Sequence, residues 1–153
     1  MPEATPEFVT ATLADAEELK RMMARLYEGE GLQYPSRAPA ALDVLLREPN
    51  LGRCFLIRQG SQTVGYLVVA FGFSLEFGGR DAFLDELFIV PEDRARGIGK
   101  RAVQFAADFC RAEGIDALHL EVSGKNAAAQ RLYRGAGFRE RHPDYDLLTL
   151  RRE

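Results

Sequence analysis

Apolar residues recur along the chain with two periods, near two and near 3.6, and the switches between them predict the elements. Phe8–Leu13 reads as a first strand. Thr12 followed by Asp15 matches a capping box, and a helix then runs to about Tyr27. Its apolar positions Ala16, Leu19, Met22, Met23 and Leu26 share one face, where the Met pair serves as core filling. The stretch "YEGEGLQYPSRAP" is a turn-rich connection, and a short helix over Ala40–Arg47 stops before Pro49. Arg53–Arg58 and Thr63–Phe73 form a hairpin around "QGSQ". Ala82–Val90 is a third strand, ended by Pro91. Ile98, Ala102, Val103, Phe105, Ala106, Phe109 and Cys110 then mark an amphipathic helix that Gly114 stops. Ala117–Val122 is a strand, "SGKNAAAQRLYRGAGF" a short helix closed by Gly135 and Gly137, and Tyr145–Leu150 a last strand.

This order makes strands 82–90 and 117–122 parallel neighbours, because a helix carries the chain between them. The hairpin strands before them are antiparallel. The sheet is therefore mixed, with helices on both faces.

Composition adds limits. At 153 residues and 46% hydrophobic, the chain is expected to be one domain spanning residues 1–153. The polar, acidic opening MPEATPEF lacks the pattern of a signal peptide, and no stretch has the length of a membrane span. A cytoplasmic location with no membrane partner is expected. Cys54 and Cys110 lie in apolar surroundings and read as buried thiols. His119 and His142 have no companion ligands nearby, so no metal is expected. A net charge of −3 gives no ground for a nucleic-acid partner.

Against that acidic background, "PEDRARGIGKRA" stands out, with Arg94, Arg96, Lys100 and Arg101 around two glycines. It feeds a strand into a helix. The first helical turn has backbone N–H groups without intrahelical partners, and the helix dipole adds positive potential there. Glycines allow a ligand to approach the backbone closely. The loop is thus built for phosphate. The spacing of a P-loop is absent. "GIGKRA" does fit the dinucleotide fingerprint, and Glu121 follows Gly97 by 24 residues. Against that stand the six residues "PEDRAR" between strand and glycine, and the lack of a second nucleotide-binding half.

A third pattern is R-x-x-G-x-G: Arg94, Gly97 and Gly99. Together with "LHLEVSGKNAAAQRLYRGAGF", carrying Asn126, Ala129, Leu132, Tyr133, Gly137 and Phe138, the chain resembles the GNAT superfamily of CoA-dependent N-acetyltransferases. Ala95 departs from the pattern, since many relatives have glycine there. The resemblance implies an α+β fold, a three-layer α/β/α sandwich around a mixed, mostly antiparallel sheet of six to seven strands. It implies acetyl-CoA as cosubstrate, an amine as acceptor and, as in many relatives, a homodimer. It implies that pantetheine lies along Phe88, Ile89 and Val90, with a backbone N–H there, that of Phe88, holding the carbonyl oxygen. The pyrophosphate would lie on the backbone of Arg96, Gly97, Ile98, Gly99 and Lys100, with Arg94, Ala95 and Ala129 also binding the cofactor, and Asn126 would cap its helix, contact pantetheine, or do both.

Acetyl transfer also needs a proton acceptor for the amine and a proton for the leaving thiolate. Glu86 and Glu121 are favoured over Asp85 as the base, and Glu86 is expected to share a strand face with Leu84, Phe88 and Val90. Tyr133 follows Asn126 by two helical turns and is the candidate acid. As in relatives, the N-terminal third would form the acceptor side; Glu28, Glu30 and Glu76 in predicted connections, flanked by Tyr27, Tyr34, Phe73 and Phe77, would make an acidic and aromatic mouth suited to a cationic amine. The rival readings are an NAD(P)-dependent reductase using "GIGKRA" and an acyl-CoA sensor without turnover.

Overall fold

A computed structural model describes residues 5–152. Met1–Ala4, the head of the polar opening, and Glu153 lie outside the described residues. Nine elements follow in the order β1 (Glu7–Thr10), α1 (Ala16–Gly29), α2 (Ala38–Arg47), β2 (Gly52–Gln59), β3 (Gln62–Ser74), β4 (Gly79–Ile89), α3 (Ile98–Ala112), β5 (Ala117–His119) and α4 (Ala127–Gly135). The strands lie side by side in chain order. β1 to β4 are antiparallel, and β5 joins β4 in parallel after the crossover through α3.

The Thr12–Asp15 capping box is present at the turn that opens α1. The Thr12 N–H donates to the Asp15 carboxylate at 2.8 Å, and the Ala14 N–H donates to the Thr12 hydroxyl at 3.3 Å. Leu19, Met22 and Met23 of α1 are buried in the core as their spacing predicts. On the opposite face of the sheet, Phe105 of α3 stacks on Phe8 at 4.5 Å and meets Phe55 edge-on, while Phe109 contacts Phe55 and Phe71. α4 packs against α3. The result is three layers with the sheet in the middle.

The middle of β4 departs from simple alternation. Val68 pairs with Glu86, but its neighbour Val69 pairs with Leu84, so Asp85 is an extra residue. Paired residues share a face and successive residues alternate. Glu86 therefore shares its face with Phe88, as expected, while Leu84 is turned to the other face. One inserted residue inverts everything upstream of it.

The bulge also bends β4 away from β5. Their ladder covers only Asp81–Phe83 against Ala117–His119, so the expected strand 117–122 is paired over half its length. The expected last strand, Tyr145–Leu150, is not a strand. Its backbone pairs with no sheet edge among the described residues, and Leu147, Leu148 and Leu150 are exposed. The sheet accordingly has five strands among the described residues, not six or seven.

Close approach of β3 to β4 depends on a missing side chain. A Cβ on Gly65 would lie 2.1 Å from the Phe88 carbonyl oxygen and 3.1 Å from the Ile89 Cα. Both neighbours are backbone, so relief requires the strands to separate. Gly65→Ala is expected to lower stability by about 2–3 kcal/mol in chemical denaturation; a change within about 0.5 kcal/mol contradicts this reading of the strand contact.

Candidate active site

Beyond Phe83 and His119 the parallel strands diverge. The gap opens into a cavity of about 930 Å³. One wall is Leu84–Leu87 of β4 and the other Leu120–Val122 after β5. The end of α1 (Tyr27, Glu30) closes one side, and Asn126, Ala129 and Tyr133 of the α4 region close the other.

Backbone direction along β4 decides which groups face this gap. The Val90 N–H donates to the Val64 carbonyl at 2.8 Å, so the alternate residues Phe88 and Val90 direct their N–H and C=O groups at β3. Leu87 and Ile89 direct theirs away from β3. The Ile89 carbonyl accepts from Arg94 Nε at 2.8 Å on that side. The Phe88 N–H thus points away from the slot, and Leu87 takes its place. The Phe88 side chain is buried, with Arg25 and Arg94 over its ring at 5.4 and 5.7 Å.

The glycine loop leaves β4 through a single 3-10 turn, Pro91–Asp93, and enters α3 at Ile98. Two residues adopt left-handed backbone: Gly97 at φ +80° and Ala95 at φ +63°. An alanine is at ease only at negative φ. Its methyl costs about 1–2 kcal/mol in this conformation, which marks the place where a glycine fits without strain. Buried Ile98 anchors the start of α3, while Arg94, Arg96 and Lys100 are exposed around it. Arg96 also lies 3.4 Å from Asp93.

The three candidate acids occupy three environments. Glu86 is half-buried on the α1 face. Its two oxygens accept from the hydroxyls of Tyr27 at 2.9 Å and Tyr66 at 2.8 Å. Burial pushes its pKa up, against the pull of the two hydrogen bonds. Asp85, at the bulge, is open to solvent yet enclosed by the cleft walls. Loss of hydration raises its pKa, and the nearby Glu121 carboxylate adds to the rise. Glu121 is exposed and faces Asp85 across the gap.

Asn126 caps α4, its side-chain oxygen accepting from the Ala129 N–H at 3.0 Å. Tyr133 lines the cavity and packs edge-on against Phe138. Burial, then Glu30, raises its pKa. Of the sequence candidates, Glu86, Glu121, Asn126, Ala129 and Tyr133 line this one cavity, whereas Phe88–Val90 and the loop Arg94–Lys100 are not in its lining and follow its β4 wall along the chain.

The sequence model of the Acetyltransferase (GNAT) family matches residues 16–138. The chain belongs to the GNAT acetyltransferases. The "GIGKRA" segment is accordingly the family's loop, and nothing favours the reductase reading. The chain is 30% identical to the mouse thialysine N-epsilon-acetyltransferase over 153 aligned positions, covering 92% of this chain and 88% of that enzyme. To the bovine enzyme of the same name it is 33% identical over 79 residues, spanning 52% of this chain and 46% of that one. HFX_CASS3, an integron cassette protein from the mobile metagenome of Cole Harbour Salt Marsh, superposes with a TM-score of 0.81 at 35% identity, covering 94% of this chain and 89% of its own. AAC(6')-Iy in complex with the bisubstrate analogue CoA-S-monomethyl-acetylneamine has the same fold, with a TM-score of 0.78 at 16% identity over 98% and 99% of the two chains.

In this acetyltransferase, sequence reasoning missed Tyr66 as a partner of Glu86 and Leu87 as the backbone facing the slot. Neither carries a local signal, because both depend on the register of β3 with β4. Glu76, expected at the acceptor mouth, instead pairs with Arg141 at 2.8 Å and His142 at 2.7 Å.

The raised pKa of Glu86 fixes the sign of a pH effect. Its carboxyl binds a proton more tightly folded than unfolded, so the stability it contributes is lost as pH rises from about 4.5 through the raised value. Glu86→Gln lacks this loss. The melting temperature of Glu86→Gln minus that of the wild type should therefore increase between about pH 4 and pH 7; a flat or falling difference contradicts the burial of the charge.

Proposed function

We propose that this enzyme transfers the acetyl group of acetyl-CoA to a primary amine by direct attack. The observation that carries the reading is the gap between diverging parallel strands that opens beside a glycine-bearing helix start. An extended pantetheine arm fits along the exposed backbone of Leu87 and Ile89 as an added strand would. The pyrophosphate fits the first N–H groups of α3, at Ile98–Lys100, with Arg94 and Arg96 near. A Cβ on Gly99 would meet Leu132 and Ile89 at 3.4 and 3.6 Å, ordinary contacts. The fold itself tolerates a side chain there, which supports a ligand as the reason for the glycine.

A lysine-like amine has a pKa near 10.4, so at pH 7.4 making it neutral costs about 4 kcal/mol. Asp85 and Glu121 face each other across the cavity, where they can hold the ammonium and take its proton through water. Glu86, with both oxygens occupied by tyrosines, supports the charge from behind. The freed nitrogen attacks the thioester carbon, and the Leu87 N–H faces the oxygen on which charge develops. The C–S bond then breaks, the Tyr133 hydroxyl donates its proton to the thiolate, and the second proton shed by the acylated nitrogen passes through water to restore the phenol. Its raised pKa keeps it protonated at neutral pH and makes that transfer uphill by more than the roughly 2 kcal/mol of an ordinary phenol. Glu30, Asp85, Glu86 and Glu121 around the cavity favour a cationic acceptor.

At a concentration of 100 times its dissociation constant, coenzyme A should stabilise the fold by about 2.7 kcal/mol, raising the melting temperature roughly 5–11 °C, while NAD(P) raises it by nothing measurable. Gly99→Ala should melt like the wild type and lose most of that rise; a retained rise removes the loop from coenzyme binding. Thiol release from acetyl-CoA across a panel of mono- and polyamines tests turnover, and no amine-dependent release from any of them favours a coenzyme sensor. Tyr133→Phe should lower kcat by about 100-fold or more with the coenzyme-induced rise intact; unchanged turnover excludes Tyr133 as the acid.

A further inference from the structure

We propose that Lys125 is a self-acetylation site: with coenzyme bound and no acceptor present, its side-chain amine takes the acetyl group. The inference rests on the proposed acetyl transfer and adds an acceptor that the chain carries itself. Lysine is scarce in this chain. Lys20, Lys100 and Lys125 are its only lysines among 20 basic residues, and the others are arginines, whose guanidinium stays charged and is no acceptor. The three lysines have different surroundings. Lys20 of α1 is tied to Asp43 at 3.2 Å and to Glu17 at 3.4 Å, and the bond to Asp43 above all holds its pKa up. Lys100 lies in the first turn of α3, exposed beside the loop proposed for the pyrophosphate. Lys125 lines the reaction cavity together with Asp85, Glu121 and Tyr133. It is the one basic residue of that lining among the described residues, and its ammonium enters no ion pair among them.

The Lys125 backbone is fixed all the same. Its N–H donates to the Ser123 hydroxyl at 3.2 Å, the Asn126 N–H donates to the Ser123 carbonyl at 3.1 Å, and Asn126 caps α4. A pinned backbone with a long, unpaired side chain keeps a primary amine at the cavity wall. Such a tethered amine has an effective concentration of about millimolar or more, so a dilute free acceptor loses to it. The step uses the groups of the proposed reaction. Asp85 and Glu121 take one proton from the Lys125 ammonium through water, and the neutral nitrogen attacks the thioester carbon. The N–C bond forms and the C–S bond breaks. The thiolate takes the Tyr133 proton, and the second nitrogen proton restores the phenol through water. The product is an amide without charge. Glu30, Asp85, Glu86 and Glu121 then line the cavity with no cation among them, so a cationic acceptor is held more tightly afterwards.

The test is peptide mass mapping of the full-length protein after incubation with acetyl-CoA and no amine, beside Lys125→Arg. The wild type should release about one equivalent of thiol per chain and carry the acetyl group on Lys125, at a rate that saturates with acetyl-CoA. Lys125→Arg should lose this burst and keep the coenzyme-induced rise in melting temperature, which shows that it folds and binds. An amine that is turned over should slow the labelling, and Asp85→Asn with Glu121→Gln should slow it about tenfold or more. Lys125 left unlabelled, or labelled no faster than exposed Lys100, overturns the proposal; if amines are turned over meanwhile, the acetyl transfer itself stands. A coenzyme that gives neither a melting rise nor turnover removes both. Lys125→Gln carries a neutral amide, and its KM for a diamine should lie about threefold or more below that of Lys125→Arg; equal values overturn the tightening while leaving the modification standing.

Discussion

One extra residue in β4 governs the architecture of the site. With Asp85 inserted opposite Val68 and Val69, β4 turns out of line with β5 after three paired positions. A regular parallel pair would have spent the backbone groups of Leu87 and Ile89 on β5. The bulge leaves them facing an open gap, directly upstream of the glycine loop. The proposed slot and phosphate cradle are therefore two stretches of one continuous segment, strand then turn then helix. A coenzyme bound as proposed would be held end to end by backbone, whose direction follows from the sheet rather than from any side chain.

The same bulge sorts the acids. Asp85 projects at the insertion, opposite Glu121, where the cleft walls and a like charge raise its pKa. Glu86 is carried to the α1 face, under Tyr27 and above Tyr66. Adjacent residues thus meet different tasks. One is accessible and poised near a second carboxylate, and the other is buried with its oxygens saturated by hydroxyl donors. Tyr27 belongs to the last turns of α1, so its bond to Glu86 also ties α1 to the middle of β4.

Much of this was legible in the residues. The helices were readable because their apolar spacing is strong, as in Ile98, Ala102, Ala106 and Cys110. The capping box at Thr12 and the hairpin at Gln59–Gln62 carry local chemistry that specifies local shape. The glycines and charge of the loop from Arg94 to Lys100 marked a strand-to-helix turn, and the structure has that turn at the start of α3. The bulge was not legible. Alternation predicts faces only while the register holds, and nothing within "FLDELFI" announces a slip that is decided by how β3 packs against β4. The backbone direction at Phe88 failed for the same reason. Ala95 shows the reverse case, since residue type argued for negative φ and the turn between β4 and α3 imposed a positive one. Tyr145–Leu150 has the pattern of a strand yet pairs with no strand among the described residues, because pattern alone does not supply an edge to pair with.

Cys54 lies beside Val68, which in turn pairs with Glu86, so a thiol sits close to the chemistry. It is buried and free, and desolvation together with the Glu86 charge pushes its pKa up to about 12. Its thiolate population at neutral pH is more than about a thousandfold below that of an exposed cysteine. A protein that handles activated acyl groups risks acylating itself wherever a nucleophilic sulfur is near. Here the Cys54 sulfur is kept as a hydrocarbon-like filler, so this thiol would not compete with the amine of the proposed reaction and would offer the acyl group no resting place.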